Sequence, residues 1–192
     1  MIELVNIDIK RFKDKVYPEY LKLFSESERK SYKQLETAFK NSILQIFEIT
    51  SGEDFVGFIL ANSLYNNGYL QVDYFAILPE FQGRGYGTQA IDRLKQMSTE
   101  YKGISIEVEK LGLGKDKKEN ELRQRRMQFY KRLGFIELNC DFELYKVMYT
   151  PLLFPIMDKI ESEDNIVKDI FEIYYETIGG SKVEKNCSVI RR

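Results

Sequence analysis

Histidine is absent from this chain of 192 residues. Its absence excludes the Ser–His and Cys–His nucleophilic schemes and every zinc site that needs a histidine ligand. Any proton transfer must therefore use Glu, Asp, Tyr, Lys, Cys or water. Tryptophan is absent as well, so the 13 Phe and 13 Tyr residues supply the aromatic part of the core.

Cysteine is scarce, and long apolar runs are missing. Cys140 and Cys187 form no CxxC motif, a pattern that favours two thiols in a reducing compartment, with one disulfide as the alternative. No signal peptide is visible at the N-terminus, and no apolar run approaches the ~20 residues of a membrane span. We therefore expect a cytoplasmic protein with no membrane partner.

An excess of charge of either sign is also missing. The 29 basic and 30 acidic residues leave a formal net charge of -1, so bulk electrostatics predict no nucleic-acid partner. The length fits one domain, or one domain with a short appendage. With 43% hydrophobic residues, the chain can fill a substantial core.

The order of periodic segments predicts a mixed α+β fold with a mostly antiparallel sheet of about seven strands. The predicted strands are Ile2–Ile9, Ile43–Thr50, Phe55–Leu64, Tyr69–Leu78, Ile104–Glu109, Phe135–Leu138 and Phe142–Met148. The predicted helices are Tyr17–Phe24, Ser25–Lys40, a helix from near Gly85 or Gly87 to Met97, Glu121–Leu133 and one opened by Ser162. The helix ending at Met97 links two strands and predicts a βαβ unit.

A glycine-rich stretch, Pro79–Thr88, lies between a predicted strand and a predicted helix. Successive N–H groups at a helix start bind anions, so a diphosphate is the favoured occupant. Two alternatives are open: a flexible turn, and a dinucleotide-binding fingerprint with Glu107 or Glu109 as the ribose acceptor. The fingerprint is the weaker alternative, because Thr88 occupies the place of its third glycine.

Two motifs together carry a family resemblance. Gln82-x-x-Gly85-x-Gly87 follows a predicted strand and resembles the acyl-CoA signature of the GNAT acetyltransferases, and Phe129–Phe135 is similar to their FYxxxGF segment. The resemblance covers about Ile2–Tyr149. It predicts an N-acetyltransferase domain over residues 1–150, followed by a C-terminal helical extension with a frayed tail over 151–192.

The resemblance implies direct transfer of an acetyl group from acetyl-CoA, as co-substrate, to a primary amine, without a metal or an acyl-enzyme. The acceptor is expected to be a small molecule, or less favourably a peptide or protein. The N–H group of Ile77 would meet the thioester carbonyl, and Tyr130 would protonate the departing CoA. The residues matching the pyrophosphate site are Gln82, Gly83, Arg84, Gly85, Tyr86, Gly87 and Thr88. The alternative function is a catalytically silent acyl-CoA-binding or sensing module.

The general base is predicted to be Glu107, which shares one face of its strand with Glu109 while apolar residues face the other side. Two carboxylates on one face of an interior strand indicate a cavity or water. Asp73 and Glu48 are rival candidates. Tyr130 has a structural alternative, as a core aromatic beside Phe129 on an amphipathic helix.

Two arginines depart from the family pattern. Arg123 and Arg126 stand where the family often has Asn and Ala. Arg126 interrupts a predicted apolar stripe, so it is expected to pair with Glu107, to contact the pyrophosphate, to bind an acidic acceptor, or to extend to solvent from the stripe's edge. The C-terminal helix has two open roles, which are closing a homodimer and capping the domain.

Overall fold

The fold is of the mixed α/β type with a mostly antiparallel open β-sheet, as predicted. The computed structural model describes residues 2–66, 68–157 and 161–192. The chain divides into two units, which we describe in turn. The first comprises the chain up to Leu64 together with Val72–Ser98, and the second comprises Tyr65–Gln71 and the chain from Thr99 onward.

The first unit begins with a strand and a run of helices. The elements are β1 (Ile2–Asn6), α1 (Ile9–Arg11), a π-helical turn (Phe12–Val16), α2 (Tyr17–Leu23) and α3 (Tyr32–Lys40). The helices are aromatic on their buried side, where Phe12, Val16 and Tyr20 are fully buried. These side chains pack with Phe58 and Leu60 of the sheet into one apolar core.

The predicted helix start at Ser25 is wrong. The Ser25 hydroxyl donates to the Glu28 carboxylate at 2.7 Å, whereas a helix cap must accept from the backbone. The segment forms a turn, and α3 starts after Ser31, whose hydroxyl accepts from the Gln34 N–H at 3.3 Å. The Gln34 side chain accepts in return from the Ser31 N–H, which completes a capping box.

The remaining elements of the first unit are β2 (Leu44–Ser51), β3 (Asp54–Ser63), β4 (Tyr69–Ile77) and α4 (Tyr86–Met97). β1 pairs antiparallel with β2, and β2 pairs antiparallel with β3. β4 follows β3 in strand order, and its first residues, Tyr69–Gln71, belong to the second unit. α4 buries Ala90, Ile91 and Leu94, but Met97, expected on the same stripe, is 39% exposed.

The second unit contains most of the C-terminal half. Its elements are β5 (Gly103–Glu109), α5 (Lys117–Arg132), β6 (Ile136–Glu137), β7 (Cys140–Leu144), β8 (Val147–Pro155), α6 (Glu163–Ile178), α7 (Gly180–Asn186) and β9 (Cys187–Arg191). β8 pairs antiparallel with β5, β6 and β7, and β7 pairs with β9. α6, capped by Ser162 as predicted, packs its apolar face on Phe142 and Leu153 of this sheet.

The described residues form nine strands instead of the seven expected. The predicted strand Phe142–Met148 is two strands, because the chain reverses at Tyr145 and Lys146, whose φ angles of 52° and 68° make a tight turn. The expected frayed tail is also wrong, since α7 forms and β9 pairs with β7. The domain boundary predicted at residue 150 falls inside β8.

Candidate active site

The glycine-rich segment joins the end of β4 to the start of α4. A short 3₁₀ turn, Pro79–Phe81, precedes Gly83 and Gly85, whose φ angles are 75° and 79°. Glycine adopts this left-handed conformation without the strain that a Cβ would cause. Apart from its chain neighbours, no described residue has an atom within 4 Å of the position that a Cβ would take at Gly83. The glycines are therefore needed for their backbone conformation, and the space beside Gly83 is open.

Backbone N–H groups are the main groups through which this loop can bind a ligand. Within the part of the chain that the structure describes, the N–H groups of residues 83–88 have no hydrogen-bond acceptor. The first bond of α4 is donated by the Gln89 N–H to the Gly85 carbonyl at 3.2 Å. A helix start also carries roughly half a positive charge. The loop can therefore bind a phosphate group through its main chain.

Side chains fix the loop to the strand before it. The Gln82 amide donates from Nε2 to the Ile77 carbonyl at 2.9 Å. The Arg84 guanidinium folds back to donate to the Glu80 carbonyl at 2.9 Å, and it lies 5.4 Å from the centroid of the Phe81 ring. Gln82 thus has a structural role that does not depend on a ligand.

The backbone of β3 lies very close to the backbone at the end of β4. A Cβ placed on Gly57 of β3 would lie 2.3 Å from the Ala76 carbonyl oxygen and 3.1 Å from the Ile77 Cα. Glycine is therefore required at this position for close backbone approach. Gly57 helps to hold the backbone of Ile77, the residue expected to meet the thioester carbonyl.

Tyr130 lies on the buried face of α5, with the residue 7% exposed. Its ring packs edge-on against Phe129 and Phe135, at centroid distances of 5.0 and 5.5 Å. Among the described residues its hydroxyl has no hydrogen-bond partner. Burial raises the pKa of Tyr130 well above its usual value, so the phenol holds its proton at neutral pH. A protonated hydroxyl with no partner has the chemistry of a proton donor.

Glu107 is half-buried on β5, between the buried residues Ile106 and Val108. Gln71 of β4 donates from its amide Nε2 to the Glu107 Oε1 at 3.3 Å. Hydrogen bonds to a carboxylate favour its charged form. This hydrogen bond fixes the orientation of the Glu107 carboxylate.

The two rival carboxylates are bound by cations. Glu48 is fully buried and pairs with Arg11 at 2.6 Å and with Lys15. Burial raises the pKa of Glu48, but hydrogen bonds from Arg11 and Lys15 outweigh this effect, and the net pKa is lowered. Asp73 pairs with Lys30 and accepts from the Asn62 amide at 3.2 Å. Both carboxylates have structural partners that a role as a general base would have to displace.

The two arginines of α5 differ in burial. Arg126 is exposed and pairs with Glu109, which favours its interpretation as a side chain extending to solvent. Arg123 is the buried arginine, with its side chain 9% exposed. It donates to the Glu119 carboxylate at 2.5 Å and to the Lys110 carbonyl at 3.0 Å. Arg123 therefore fixes the start of α5 to the end of β5.

The glycine loop belongs to the first unit, and Tyr130 and Glu107 belong to the second. The loop offers backbone N–H groups that can bind an anion, and the two side chains are a phenol and a carboxylate, which can exchange protons. Among the described residues, no group of three or more Cys, Asp or Glu side chains is arranged to hold a metal ion. Nor does any described helix have the length and apolarity needed to cross a membrane.

The family model of the acetyltransferase (GNAT) family matches residues 10–135, which is more than half of the chain. The chain belongs to the GNAT family of acetyltransferases. This GNAT chain is therefore an acetyltransferase, and the predicted family membership is confirmed. No curated protein sequence matches it significantly.

Solved structures share the fold of this GNAT acetyltransferase. A GNAT-family acetyltransferase from Bacteroides thetaiotaomicron superposes with a TM-score of 0.73 at 18% identity, covering 93% of this chain and 99% of that one. The ribosomal-protein-S18-alanine N-acetyltransferase of Escherichia coli gives 0.59 at 15% identity, covering 84% and 98%. Mutant forms of a spermidine/spermine N-acetyltransferase from Vibrio cholerae give 0.58 at 15% identity, covering 81% and 95%. At these identities the likeness concerns the fold alone.

Sequence reasoning missed three residues of this GNAT acetyltransferase, one beside Ile77 in the first unit and two near Glu107 in the second. Gly57 is one, and its signal was a lone glycine within an apolar strand. Gln71 and Ser105 are the others, both buried and polar on strands. The signal for both was a polar residue in an otherwise apolar strand. Polar residues at a solvated strand edge give the same signal, so it does not identify a buried polar residue.

Proposed function

We propose that this GNAT acetyltransferase transfers the acetyl group of acetyl-CoA directly to a primary amine of a small molecule, in a ternary complex. A peptide or protein amine is the less favoured acceptor. The observation that carries the proposal is the row of N–H groups in residues 83–88 without acceptors among the described residues. A pyrophosphate is bound in proteins by such a row at a helix start.

The residues of the loop fit the pyrophosphate of CoA. Gly83 and Gly85 adopt the left-handed conformation without strain, and open space beside Gly83 leaves room for phosphate oxygens. The dipole of α4 adds attraction for negative charge. We propose that residues 82–88 bind the pyrophosphate through the main chain, with the Thr88 hydroxyl as an additional donor.

Acetyl-CoA supplies an activated thioester carbonyl. In our proposal the Ile77 N–H donates to the carbonyl oxygen as negative charge develops there. Glu107 accepts a proton from the acceptor ammonium, which frees the amine to attack. Tyr130 then donates its proton to the departing thiolate. The buried, protonated hydroxyl of Tyr130 and the hydrogen-bonded carboxylate of Glu107 support these two roles.

The proposal also specifies the class of acceptor, which is a small molecule. Among the solved structures with this fold, one is named for spermidine and spermine and another for the alanine of a ribosomal protein, so the fold serves small and large acceptors. The near balance of 29 basic and 30 acidic residues gives no sign of a surface charged to hold a polypeptide. We propose the reducing cytoplasm as its compartment, in keeping with free Cys140 and Cys187.

A second candidate is a catalytically silent module that binds or senses acyl-CoA. The observation that favours it is the pair Arg123 and Arg126, at positions where the family often has Asn and Ala. Such a module would keep the glycine loop and lose turnover. Binding and turnover therefore have to be measured separately.

The decisive experiment follows release of free CoA thiol from acetyl-CoA with polyamines, aminoglycosides, amino acids and peptides, with an amine-free reaction as control. Binding is measured in parallel by thermal unfolding, where a hundredfold excess of ligand over Kd adds about 2.7 kcal/mol of stability. We expect stabilisation by acetyl-CoA and thiol release with at least one small amine. Stabilisation without turnover on any amine would support the silent module. Stabilisation by NADH and none by acetyl-CoA would contradict both.

A further inference from the structure

A polar cluster lies within the sheet of the second unit. It consists of Gln71 on β4 and of Ser105 and Glu107 on β5. Ser105 and Glu107 are two residues apart on one strand, so their side chains project from the same face. Gln71 and Ser105 are fully buried, and the Gln71 amide donates to the Glu107 carboxylate at 3.3 Å.

Two buried oxygen atoms in this cluster have no hydrogen-bond partner among the described residues, namely Gln71 Oε1 and Ser105 Oγ. Leaving a buried polar atom unpaired costs about 1–3 kcal/mol. Rotating the Gln71 amide does not remove the cost, because its oxygen would then face the Glu107 oxygen. Gln71 Oε1 therefore needs a donor, and the Ser105 hydroxyl, which can both donate and accept, needs a hydrogen-bond partner.

The β8 residues directly opposite Ser105 and Glu107 cannot supply this donor from their side chains. In the β5–β8 register, Leu153 stands opposite Ser105 and Pro151 stands opposite Glu107. Neither side chain has a polar hydrogen. A water molecule donates two hydrogen bonds and accepts two, so one water can accept from the Ser105 hydroxyl, donate to Gln71 Oε1 and keep its second hydrogen for Glu107.

The charged side chains along these elements are already paired. Glu109, next on the same face of β5, pairs with Arg126. Lys102, just before β5, pairs with Glu161 at 3.0 Å and with Asp169 at 3.7 Å. Further along β4, Asp73 pairs with Lys30. A neutral donor thus fits the cluster better than a cation side chain of the protein.

We propose that Gln71 is a positioning residue for Glu107, and that Gln71 and Ser105 hold a water molecule that relays the proton from the acceptor ammonium. This inference rests on the proposed function. The water accepts one proton from the ammonium and donates one of its own to Glu107, so the amine becomes neutral and the carboxylate becomes a carboxylic acid. Release of that proton to solvent restores Glu107.

The test compares Gln71→Leu with Asn62→Leu. Asn62 is the matched control, because it is a buried amide that donates to the Asp73 carboxylate at 3.2 Å, against 3.3 Å for Gln71 and Glu107. Loss of the Gln71 donor should raise the pKa of Glu107, since a hydrogen bond to the charged form lowers it. We expect the acidic limb of kcat/KM for the amine to move up by about one pH unit in Gln71→Leu. KM for acetyl-CoA should not change.

A direct titration keeps the test independent of activity. The side-chain carboxyl of Glu107, labelled with carbon-13, is followed by NMR against pH in the wild type and in both variants. A raised midpoint for Glu107 in Gln71→Leu, and none in Asn62→Leu, supports the positioning role. An unchanged midpoint, or an acidic limb that moves with Asn62→Leu instead, overturns it. An inactive wild type with a raised midpoint would refute the proposed function and leave the role of Gln71 standing.

Two further variants complete the test. Gln71→Glu, of the same size, places a like charge beside Glu107 and should raise its midpoint further, and it replaces Gln71→Leu where the apolar variant does not fold. Ser105→Ala removes one hydrogen-bond partner of this water and should lower kcat a few-fold, because the relay water loses one of the groups that hold it. Unchanged kcat in Ser105→Ala would overturn the water relay.

Discussion

The glycine loop and the Tyr130–Glu107 region perform different kinds of chemistry. In residues 83–88 the functional groups are backbone N–H groups, and the side chains serve mainly to set the conformation. In the second region the groups belong to two side chains, namely the Tyr130 hydroxyl, whose pKa is raised by burial, and the Glu107 carboxylate, which accepts from the Gln71 amide. The comparison leads to two different expectations. Ligand binding by a main-chain site should be lost when a Cβ is added to the loop, whereas the chemistry of a side-chain site should be lost when one functional atom is removed.

The largest effect is expected for Gly85→Val. Valine strains a left-handed residue and places a branched side chain where the loop would meet phosphate. We expect acetyl-CoA affinity to fall at least about 100-fold, which is about 2.7 kcal/mol. Isothermal titration measures the loss.

Gly52→Val is the matched control for this prediction. Gly52 has a φ of 63°, and no atom lies within 4 Å of a Cβ placed there. It therefore suffers comparable strain in the turn between β2 and β3, outside the loop. Equal loss of acetyl-CoA affinity in both variants would mean that destabilisation, and not phosphate binding, explains the effect of Gly85→Val.

A smaller effect is expected for Tyr130→Phe, which keeps the ring packed on Phe129 and Phe135 and removes the proton. General acid catalysis typically contributes about 10²–10⁴-fold. We expect kcat to fall at least roughly tenfold. This loss is smaller than the typical contribution because water can substitute as the proton donor. KM for acetyl-CoA should change little. Tyr69→Phe is the control, as another buried tyrosine of the same unit. Wild-type kcat in Tyr130→Phe would assign Tyr130 to the core.

The smallest effect is expected for Arg126→Ala. Exposed ion pairs such as Arg126–Glu109 contribute about 0–1 kcal/mol, so thermal unfolding should change little. Arg123→Ala removes a buried cation bonded to Glu119 and to the Lys110 carbonyl, and it should cost about 1–3 kcal/mol. A large rise in either substrate KM in Arg126→Ala would instead give Arg126 a role in binding.

The order of elements was predictable because each has its own local signal. Gly85 at a helix start and Ser162 as a cap both act through neighbouring backbone, so their roles are visible in a few residues. The reversal at Tyr145 and Lys146 was not predictable, because neither residue type usually adopts a left-handed conformation. The pairing of β9 with β7 joins residues far apart in sequence, and no local pattern specifies it.

The candidate site was predictable in its loop and much less so in its side-chain partners. The buried face of α5 is Arg123, Met127 and Tyr130, one residue away from the stripe expected through Leu122 and Arg126. Few apolar residues mark that helix, so the charged bonds of Arg123 decide which side is buried. The bond from Gln71 to Glu107 joins two strands, and burial of a polar residue depends on what packs over it.

The tight turn at Tyr145 and Lys146 has a consequence for distant chemistry. It aligns Leu144 with Val147, and the same strand carries that alignment to Pro151, opposite Glu107. Lengthening the turn by one residue, with β8 following it, would reverse the face of every side chain along that strand. Thr150, now opposite Val108, would then be a candidate for the place of Pro151 and would bring a hydroxyl beside the carboxylate. The number of residues in a surface turn is thus one of the determinants of which side chain stands opposite Glu107.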